Sequence, residues 1–171
     1  MAHLSTAIKN NMLLGKLTGH FAPFKHVFCN RDRRFLPPFI IKIDNKYIGI
    51  VLSYVKHDER NVLWIRKIWI NPKVFVNSTP TGVNGRHPYF DTIAQVLQLF
   101  MQTLTPTFKE FHINTLCYKS YRTEEDKAIL HPLKWFGFND DVEKTLRNYV
   151  PTTSWREREE LPYHIYTKAL L

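Results

Sequence analysis

The stretch over residues 62–104, VLWIRKIWINPKVFVNSTPTGVNGRHPYFDTIAQVLQLFMQTL, decides the fold. Its first nine residues are apolar apart from two cations, and they are rich in the β-branched and aromatic side chains that strands favour. A strand is therefore predicted over 62–70, ended by Asn71-Pro72. The last part repeats apolar side chains at helical spacing, which predicts an amphipathic helix over 88–104, ended by Thr105-Pro106.

The loop between this strand and helix, NSTPTGVNGRHP over residues 77–88, has two interpretations. One is a long surface connection whose glycines serve turns. The other is a set of backbone N–H groups that holds a phosphate, because a helix N-terminus carries unpaired N–H groups and partial positive charge. Gly82 and Gly85 permit positive φ angles and a close approach to an anion, and Arg86 adds a charge.

Before this stretch the sequence predicts two further strands. FIIKI (39–43) and YIGIVLSYV (47–55) are joined by the short turn DNK, and with the strand above they make an antiparallel meander. Residues 3–20 are predicted to form one or two short helices that end near Gly15 or Gly19.

After the long helix, FKEFHINTLCY (108–118) predicts a strand. A strand reached through a helical crossover is typically parallel to a neighbour and interior to the sheet. Alternation of side chains divides this strand into two faces. They are Phe111, Ile113, Thr115 and Cys117 on one side, and Glu110, His112, Asn114, Leu116 and Tyr118 on the other.

The C-terminal part is predicted to hold one helix and two closing strands. The helix spans 123–135, with Thr123 and Asp126 at its start. The strands are EKTLRNYV (143–150) and YHIYTKALL (163–171).

The composition indicates one globular domain over residues 1–171, since 44% of the side chains are hydrophobic. Two cysteines, Cys29 and Cys117, exclude a disulfide framework and are typical of a reducing compartment. No apolar run is long enough to cross a bilayer, and the first residues make a poor signal peptide. A cytoplasmic protein with no membrane partner is therefore expected.

The formal charge of +9 predicts polyanionic partners: nucleic acid, a phosphorylated cofactor or an acidic protein. The local cluster of Arg31, Arg33 and Arg34 is interpreted first as a solvated basic face. His20, His26 and Cys29 lack a fourth ligand at metal spacing, so no metal site is expected.

The order of elements resembles the GNAT family of acyl-coenzyme A-dependent N-acetyltransferases, from about residue 39 to the C-terminus. Three features carry the resemblance: the strand WIRKIWINPKV with its glycine-containing loop and helix, the strand ending near Asn114, and the segment LKWFGF. The resemblance implies an α+β fold with a central mixed sheet of about six to seven strands. An antiparallel meander is followed by a βαβ unit, and helices cover both faces.

The resemblance also implies acetyl-CoA as co-substrate. In the family, the strand before the loop splays from its neighbour and its backbone binds the pantetheine arm, a role that falls here near Ile68 and Ile70. The loop amides bind the pyrophosphate. The spacing G-V-N-G, followed by His87 and Pro88, departs from the tighter glycine spacing of the family. The matching loop residues are Thr81, Gly82, Val83, Asn84, Gly85 and Arg86.

Acetyl transfer needs a deprotonated amine and an acid for the leaving thiolate. Many relatives carry a glutamate on the strand before the loop, where this chain has Arg66 and Lys67. The candidates for the base are Glu110, His112 or a water held by Asn114. A tyrosine beyond the following strand often serves as the acid, and Tyr118 and Tyr121 fit, with Tyr121 preferred.

The resulting hypothesis is an N-acetyltransferase that moves an acetyl group from acetyl-CoA to an amine by direct attack. The acceptor is left open among a protein, an aminoacyl-tRNA and a small molecule, and the charge favours an acidic protein or RNA. The alternative is a catalytically inactive module of the same fold that binds nucleic acid or an acidic protein. A homodimer is also left open.

Overall fold

The structure, a computed structural model, describes residues 16–23, 33–75, 88–121, 123–148 and 163–170. Within these ranges it contains eight strands, three α-helices and a 3₁₀ turn at Pro72–Phe75. The strands are β1 Leu17–Phe21, β2 Arg33–Phe35, β3 Phe39–Ile43, β4 Lys46–Lys56, β5 Glu59–Ile70, β6 Thr115–Ser120, β7 Asn139–Asp140 and β8 His164–Ala169. The helices are α1 Pro88–Glu110, α2 Glu124–Trp135 and α3 Val142–Asn148.

All eight strands belong to one mixed sheet in the order β1-β3-β4-β5-β6-β8-β7, with β2 paired to β4. Strands β3, β4 and β5 form the predicted antiparallel meander. Strand β6 follows α1 and is the one that pairs in parallel, with β5. The predicted α+β fold with a meander and a βαβ unit is confirmed. The sheet has eight strands rather than six or seven because β1, β2 and β7 add short edge segments.

Helices cover both faces of the sheet, as predicted. On one face, called here the helix face, Ile65 and Leu116 pack in one cluster with Phe100 of α1 and Leu133 of α2. The opposite face, called the Trp64 face, holds a smaller cluster and α3. The members of that cluster are Tyr54, Val62, Trp64, Cys117 and Ile165, with Phe35 and Tyr163 at its margin.

Helix α1 buries the stripe that its sequence predicts but does not end at Thr105-Pro106. The helix runs through Pro106 to Glu110 because Phe108 and Ile113 are buried in the helix-face cluster and extend the apolar contact. A proline in a helix removes a single backbone hydrogen bond, and here this additional burial compensates for it. The buried stripe comprises Ile93, Val96, Leu97, Phe100 and Leu104.

The predicted strand over 108–118 is wrong in its first half. Residues 108–110 belong to α1, and His112, with φ of 56°, ends the helix in a turn. Ile113 N–H closes that turn on the Phe108 carbonyl at 2.9 Å. The strand β6 therefore starts at Thr115.

The N-terminal prediction of helix is also wrong where the structure describes it. Leu17–Phe21 form the edge strand β1, paired with β3. Gly19 is not a helix end: a Cβ there would overlap the Phe39 ring, so glycine permits this packing. Residues 3–15 lie outside the described residues.

The segment 143–150, predicted as a strand, forms helix α3 over Val142–Asn148. Asp141 caps this helix, since its carboxylate accepts the Lys144 N–H at 3.0 Å. The buried Thr145 hydroxyl accepts the Ile165 N–H at 2.9 Å and so fixes α3 to β8. The predicted helix over 123–135 and the last closing strand are confirmed as α2 and β8.

Among the described helices, none is long and apolar enough to cross a membrane.

Candidate active site

A notch opens in the sheet between the two parallel strands. Strands β5 and β6 pair from Val62 opposite Thr115 to Ile65 opposite Tyr118. Beyond Ile65, strand β5 continues to Ile70 in register with β4 alone. Over these last residues, no other described strand pairs with the edge of β5 that faces β6. We call this opening the notch.

A β-bulge at Arg66 marks the start of the notch. Ser53 of β4 lies opposite Ile65, whereas Leu52 lies opposite Lys67, so Arg66 is the extra residue. A bulge bends its strand and increases the local twist. The bulge therefore lies where the pairing of β5 with β6 stops, and β6 itself ends two residues later at Ser120.

The bulge also shifts the alternation of side chains along β5. Before the bulge, the odd-numbered Ile65 points to the helix-face cluster. After the bulge, the even-numbered Ile68 and Ile70 point to that cluster. Trp69 must therefore project to the Trp64 face, where it is 37% exposed. The side chains of Ile68 and Ile70 are buried, so a molecule in the notch meets their backbone.

The backbone groups of Ile68 and Ile70 point into the notch. Asn71 N–H donates to the Ile48 carbonyl of β4 at 2.7 Å, so these opposed residues form a hydrogen-bonded pair. Such pairs alternate along an antiparallel ladder, which directs the N–H and C=O of Trp69 to β4. The same alternation turns those of Ile68 and Ile70 away from β4. Two predicted contact residues thus turn their backbone N–H and C=O to the notch, where no strand of the described ranges pairs with them.

The residues of the predicted anion loop lie outside the described residues; they are Thr81, Gly82, Val83, Asn84, Gly85 and Arg86.

One carboxylate holds the β6 side of the notch. Asp126 accepts the Tyr118 hydroxyl at 2.7 Å and the Tyr121 N–H at 2.6 Å. Its own N–H donates to the Thr123 hydroxyl at 3.1 Å, the N-cap contact of α2. Asp126 therefore ties the end of β6 to the first turn of α2, a role that its position at a helix start does not reveal.

The two candidate acids differ in accessibility. Tyr118 is buried at 1% exposure on the helix face, and its hydroxyl is held by Asp126. Tyr121 is 57% exposed, and its ring lies edge-on to Tyr163 with centroids 6.0 Å apart. Of the two, Tyr121 offers a hydroxyl to a substrate at the notch.

The predicted base candidates lie away from the notch, at the other end of β6. Glu110 is the last residue of α1, His112 lies in the turn that follows, and Asn114 directly precedes β6, so their predicted place on a polar strand face is wrong. Asn114 precedes Tyr118 by four residues, about 13 Å of strand. Its side-chain oxygen accepts the Asn61 amide at 3.2 Å, a contact that ties β5 to β6.

Cations stand on both sides of the notch. The pairing between β5 and β6 ends at Ile65 and Tyr118. Arg66 on β5 and Lys119 on β6 are the next residues. The Arg66 guanidinium lies 5.8 Å from the Phe35 ring, and the Lys119 Nζ lies 4.4 Å from the Tyr163 ring. Both rings border the Trp64 cluster, so both cations lie on the Trp64 face.

Further cations continue from the notch along this face. Lys56 Nζ and Lys144 Nζ lie 4.3 and 5.5 Å from the Trp64 ring centroid. Arg33 lies 4.7 Å from the Tyr54 ring, which stacks on Trp64. We call the set the basic face; it comprises Arg33, Lys56, Arg66, Lys119 and Lys144.

The positive charges of the basic face act on one another. Burial lowers the pKa of Lys119, and the charges of Lys56 and Arg33 lower it further. Burial also lowers the pKa of Lys56, against the opposing effect of Glu59. Glu59 binds Lys144 at 3.1 Å and accepts the Trp64 indole N–H at 3.0 Å. The sequence alone did not predict this face. Arg33 stands out there only as part of the arginine cluster, and Arg66 only because relatives carry a glutamate on that strand.

Cys117 and a cavity are not part of the notch. Burial raises the pKa of Cys117 to about 12, so its thiol stays protonated and is no nucleophile. A cavity of about 530 Å³ is lined by residues that include Val55, Arg60 and Phe111. Within the described ranges no three metal-binding side chains cluster; His20 lies in β1, and His26 and Cys29 fall outside those ranges.

No family model matches the chain, and no curated protein matches it. Solved structures are similar in fold. A GNAT family acetyltransferase from Elizabethkingia anophelis with acetyl-CoA bound is 12% identical, with 90% of this chain and 98% of that chain covered and a TM-score of 0.49. An acetyltransferase from Thermus thermophilus is also 12% identical, with a TM-score of 0.46 over 82% of this chain.

The match to the Thermus chain covers 66% of that chain, just under two thirds of its length. An N-acetyltransferase from Campylobacter jejuni in complex with acetyl coenzyme A is 10% identical, with 83% and 71% of the two chains covered and a TM-score of 0.42. At these identities and TM-scores the likenesses decide nothing about activity. The function proposed below rests on the geometry of this chain.

Proposed function

We propose that the protein is an N-acetyltransferase that binds acetyl-CoA in the notch and transfers the acetyl group to an amine. The observation that carries the proposal is the orientation of Ile68 and Ile70, whose backbone N–H and C=O face the notch with no described strand beside them. Backbone polar groups in such a place need partners. An amide-bearing chain laid along this edge would supply them as an added strand does.

The residues around the notch fit such a co-substrate. Acetyl-CoA supplies an activated thioester, and its pantetheine arm contains two amides that can pair with the strand edge. The buried side chains of Ile68 and Ile70 keep the backbone edge in place from the helix face. Gly49 supports the same edge from β4, because a Cβ there would overlap the Trp69 carbonyl oxygen.

Proton transfer at the notch does not require the missing carboxylate. An amine beside Arg66 and Lys119 meets positive charge from both strands, which disfavours its protonated form and lowers its pKa. Burial is the main cause of the lowered pKa of Lys119, and the charges of Lys56 and Arg33 lower it further, so positive charge acts at this strand as well. The exposed Tyr121 hydroxyl is the proposed donor to the leaving thiolate, since a tyrosine is protonated at neutral pH.

Backbone amide hydrogen exchange with and without acetyl-CoA tests the proposal. The amides of Ile68 and Ile70 should gain protection on binding. The Trp69 amide, already bonded to β4, is the internal control and should change little. No gain at Ile68 and Ile70, or an equal gain at all three amides, would overturn the assignment of the notch.

A second function, a binding module without catalysis, is favoured by the absence of a carboxylate at Arg66 and Lys67. Acetyl transfer to a panel of amines separates the two. Protection at the notch without transfer to any amine would support the module, whereas amine-dependent release of CoA would support the transferase. The acceptor, a homodimeric state and the cytoplasmic location stay predictions.

A further inference from the structure

We propose that the acceptor amine is carried by single-stranded RNA, whose phosphates bind the basic face and whose bases stack beside the notch. The inference rests on the proposed function, because the notch defines where the amine must arrive. It adds the substrate class, which the notch does not specify.

The first observation is an excess of positive charge on the basic face. Glu59 contacts this face through Lys144, but within the described residues Arg66 and Lys119 make no ion pair. Lys119 and Lys56 are also half-buried, so their charges are incompletely solvated. Like charges held this way destabilise the fold, and a bound anion relieves that repulsion.

The second observation is the number of cations on the basic face. Arg66 and Lys119 lie at the notch. Lys56 and Lys144 lie 4.3 and 5.5 Å from the Trp64 ring, and Arg33 lies 4.7 Å from the Tyr54 ring. A single phosphate needs only two or three donors, so a polyanion with several phosphates fits this set better than a small phosphorylated amine.

The third observation concerns two exposed aromatic side chains at the notch. Trp69 projects to the Trp64 face from the splayed end of β5, and Tyr121 follows β6 on the other side. Tyr121 contacts the Tyr163 ring, above which Lys119 lies. Exposed rings next to cations provide stacking surfaces for unpaired bases. An acidic peptide would neutralise the cations but would make no use of these rings.

The test measures binding of a short single-stranded RNA by fluorescence anisotropy over a range of salt. Each phosphate neutralised contributes roughly 0.7 to the slope of log affinity against log salt for single strands. The variant Arg66→Met/Lys119→Met should weaken binding about tenfold or more and lower that slope by roughly 1.4. The control Lys46→Met/Lys109→Met removes two exposed cations elsewhere and should change binding little.

Three results of these binding measurements would contradict an RNA ligand on the basic face. Equal weakening by both double variants, a salt slope near zero for the unmodified protein, or tighter binding of a polyglutamate peptide at equal salt would each overturn the proposal. Replacement of Trp69 and Tyr121 by leucine should weaken RNA binding about tenfold but leave polyglutamate binding unchanged, as expected from a stacking contact. An unchanged RNA affinity in that variant would also overturn it.

An acetyl-transfer assay tests whether RNA binding serves the proposed reaction. A short RNA with a primary amine at its 3′ end should be acetylated with a lower KM than the same amine free in solution. The Arg66→Met/Lys119→Met variant should lose that advantage but keep amide protection at Ile68 and Ile70. For the unmodified protein, notch protection by acetyl-CoA with no binding of the RNA contradicts the RNA acceptor alone. RNA binding without notch protection contradicts the transferase itself.

Discussion

The two halves of β5 face different surroundings although they form one strand. From Val62 to Ile65, the strand pairs with β6 as well as β4, and its side chains fill both clusters. From Arg66 onward, β4 is its partner among the described strands, and exposed residues return on the Trp64 face. The first half holds the sheet together, and the second presents an edge. The bulge at Arg66 is the boundary, and one extra residue there coincides with the change from a core strand to a strand edge.

The largest predicted difference between the halves is in stability. Trp64 is fully buried in the paired half, so Trp64→Ala should lower the free energy of unfolding by about 3–5 kcal/mol. Trp69→Ala, in the splayed half, should cost about 1 kcal/mol or less because that side chain is 37% exposed. Urea unfolding of both variants measures the difference. Equal losses would contradict the division of the strand.

A smaller effect is predicted on catalysis at the open half. Tyr121→Phe should lower kcat by about a hundredfold, the usual contribution of a positioned acid, with little change in the KM for acetyl-CoA. Tyr163→Phe is the matched control, since its ring contacts Tyr121. Steady-state kinetics of both variants provide the measurement. Both variants keep their rings, so a similar loss in both would contradict a specific role of the Tyr121 hydroxyl as the acid.

The smallest predicted effect is a shift in pH dependence. Arg66 disfavours the protonated acceptor amine, so Arg66→Met should raise the amine pKa in the complex. The neutral amine is the reactive form, so the rise of kcat with pH should move to higher pH by about one unit or less. Lys109→Met, in the last turn of α1, should leave the profile unchanged. A shift to lower pH would reverse the assigned role of the charge.

Much of the fold followed from local patterns. The alternation in 39–55 and the apolar run over 62–70 predicted the meander, and Thr123 predicted the start of α2. Predictions failed where burial overrode a local signal. Pro106 did not end α1 because Phe108 and Ile113 are buried beyond it. Segment 143–150 became a helix, with Asp141 as its cap and Thr145 tied to β8.

The candidate site was only partly predictable. Ile68 and Ile70 were predicted through the family resemblance, and the ladder geometry directs their backbone to the notch, although their role in binding stays a prediction. Glu110 and His112 were grouped with Tyr118 because a continuous strand was assumed. The turn at His112 removes that continuity, and strand alternation cannot be extended through a turn.

The sequence by itself determined the strand and helix types of the central stretch, the net charge and the absence of a carboxylate at Arg66 and Lys67. These features depend on neighbouring residues, where side-chain periodicity and propensity act. Only the tertiary structure decided the notch and the basic face. Both arise from residues distant in sequence, and the pairing of β5 with β4 and β6 places those residues together.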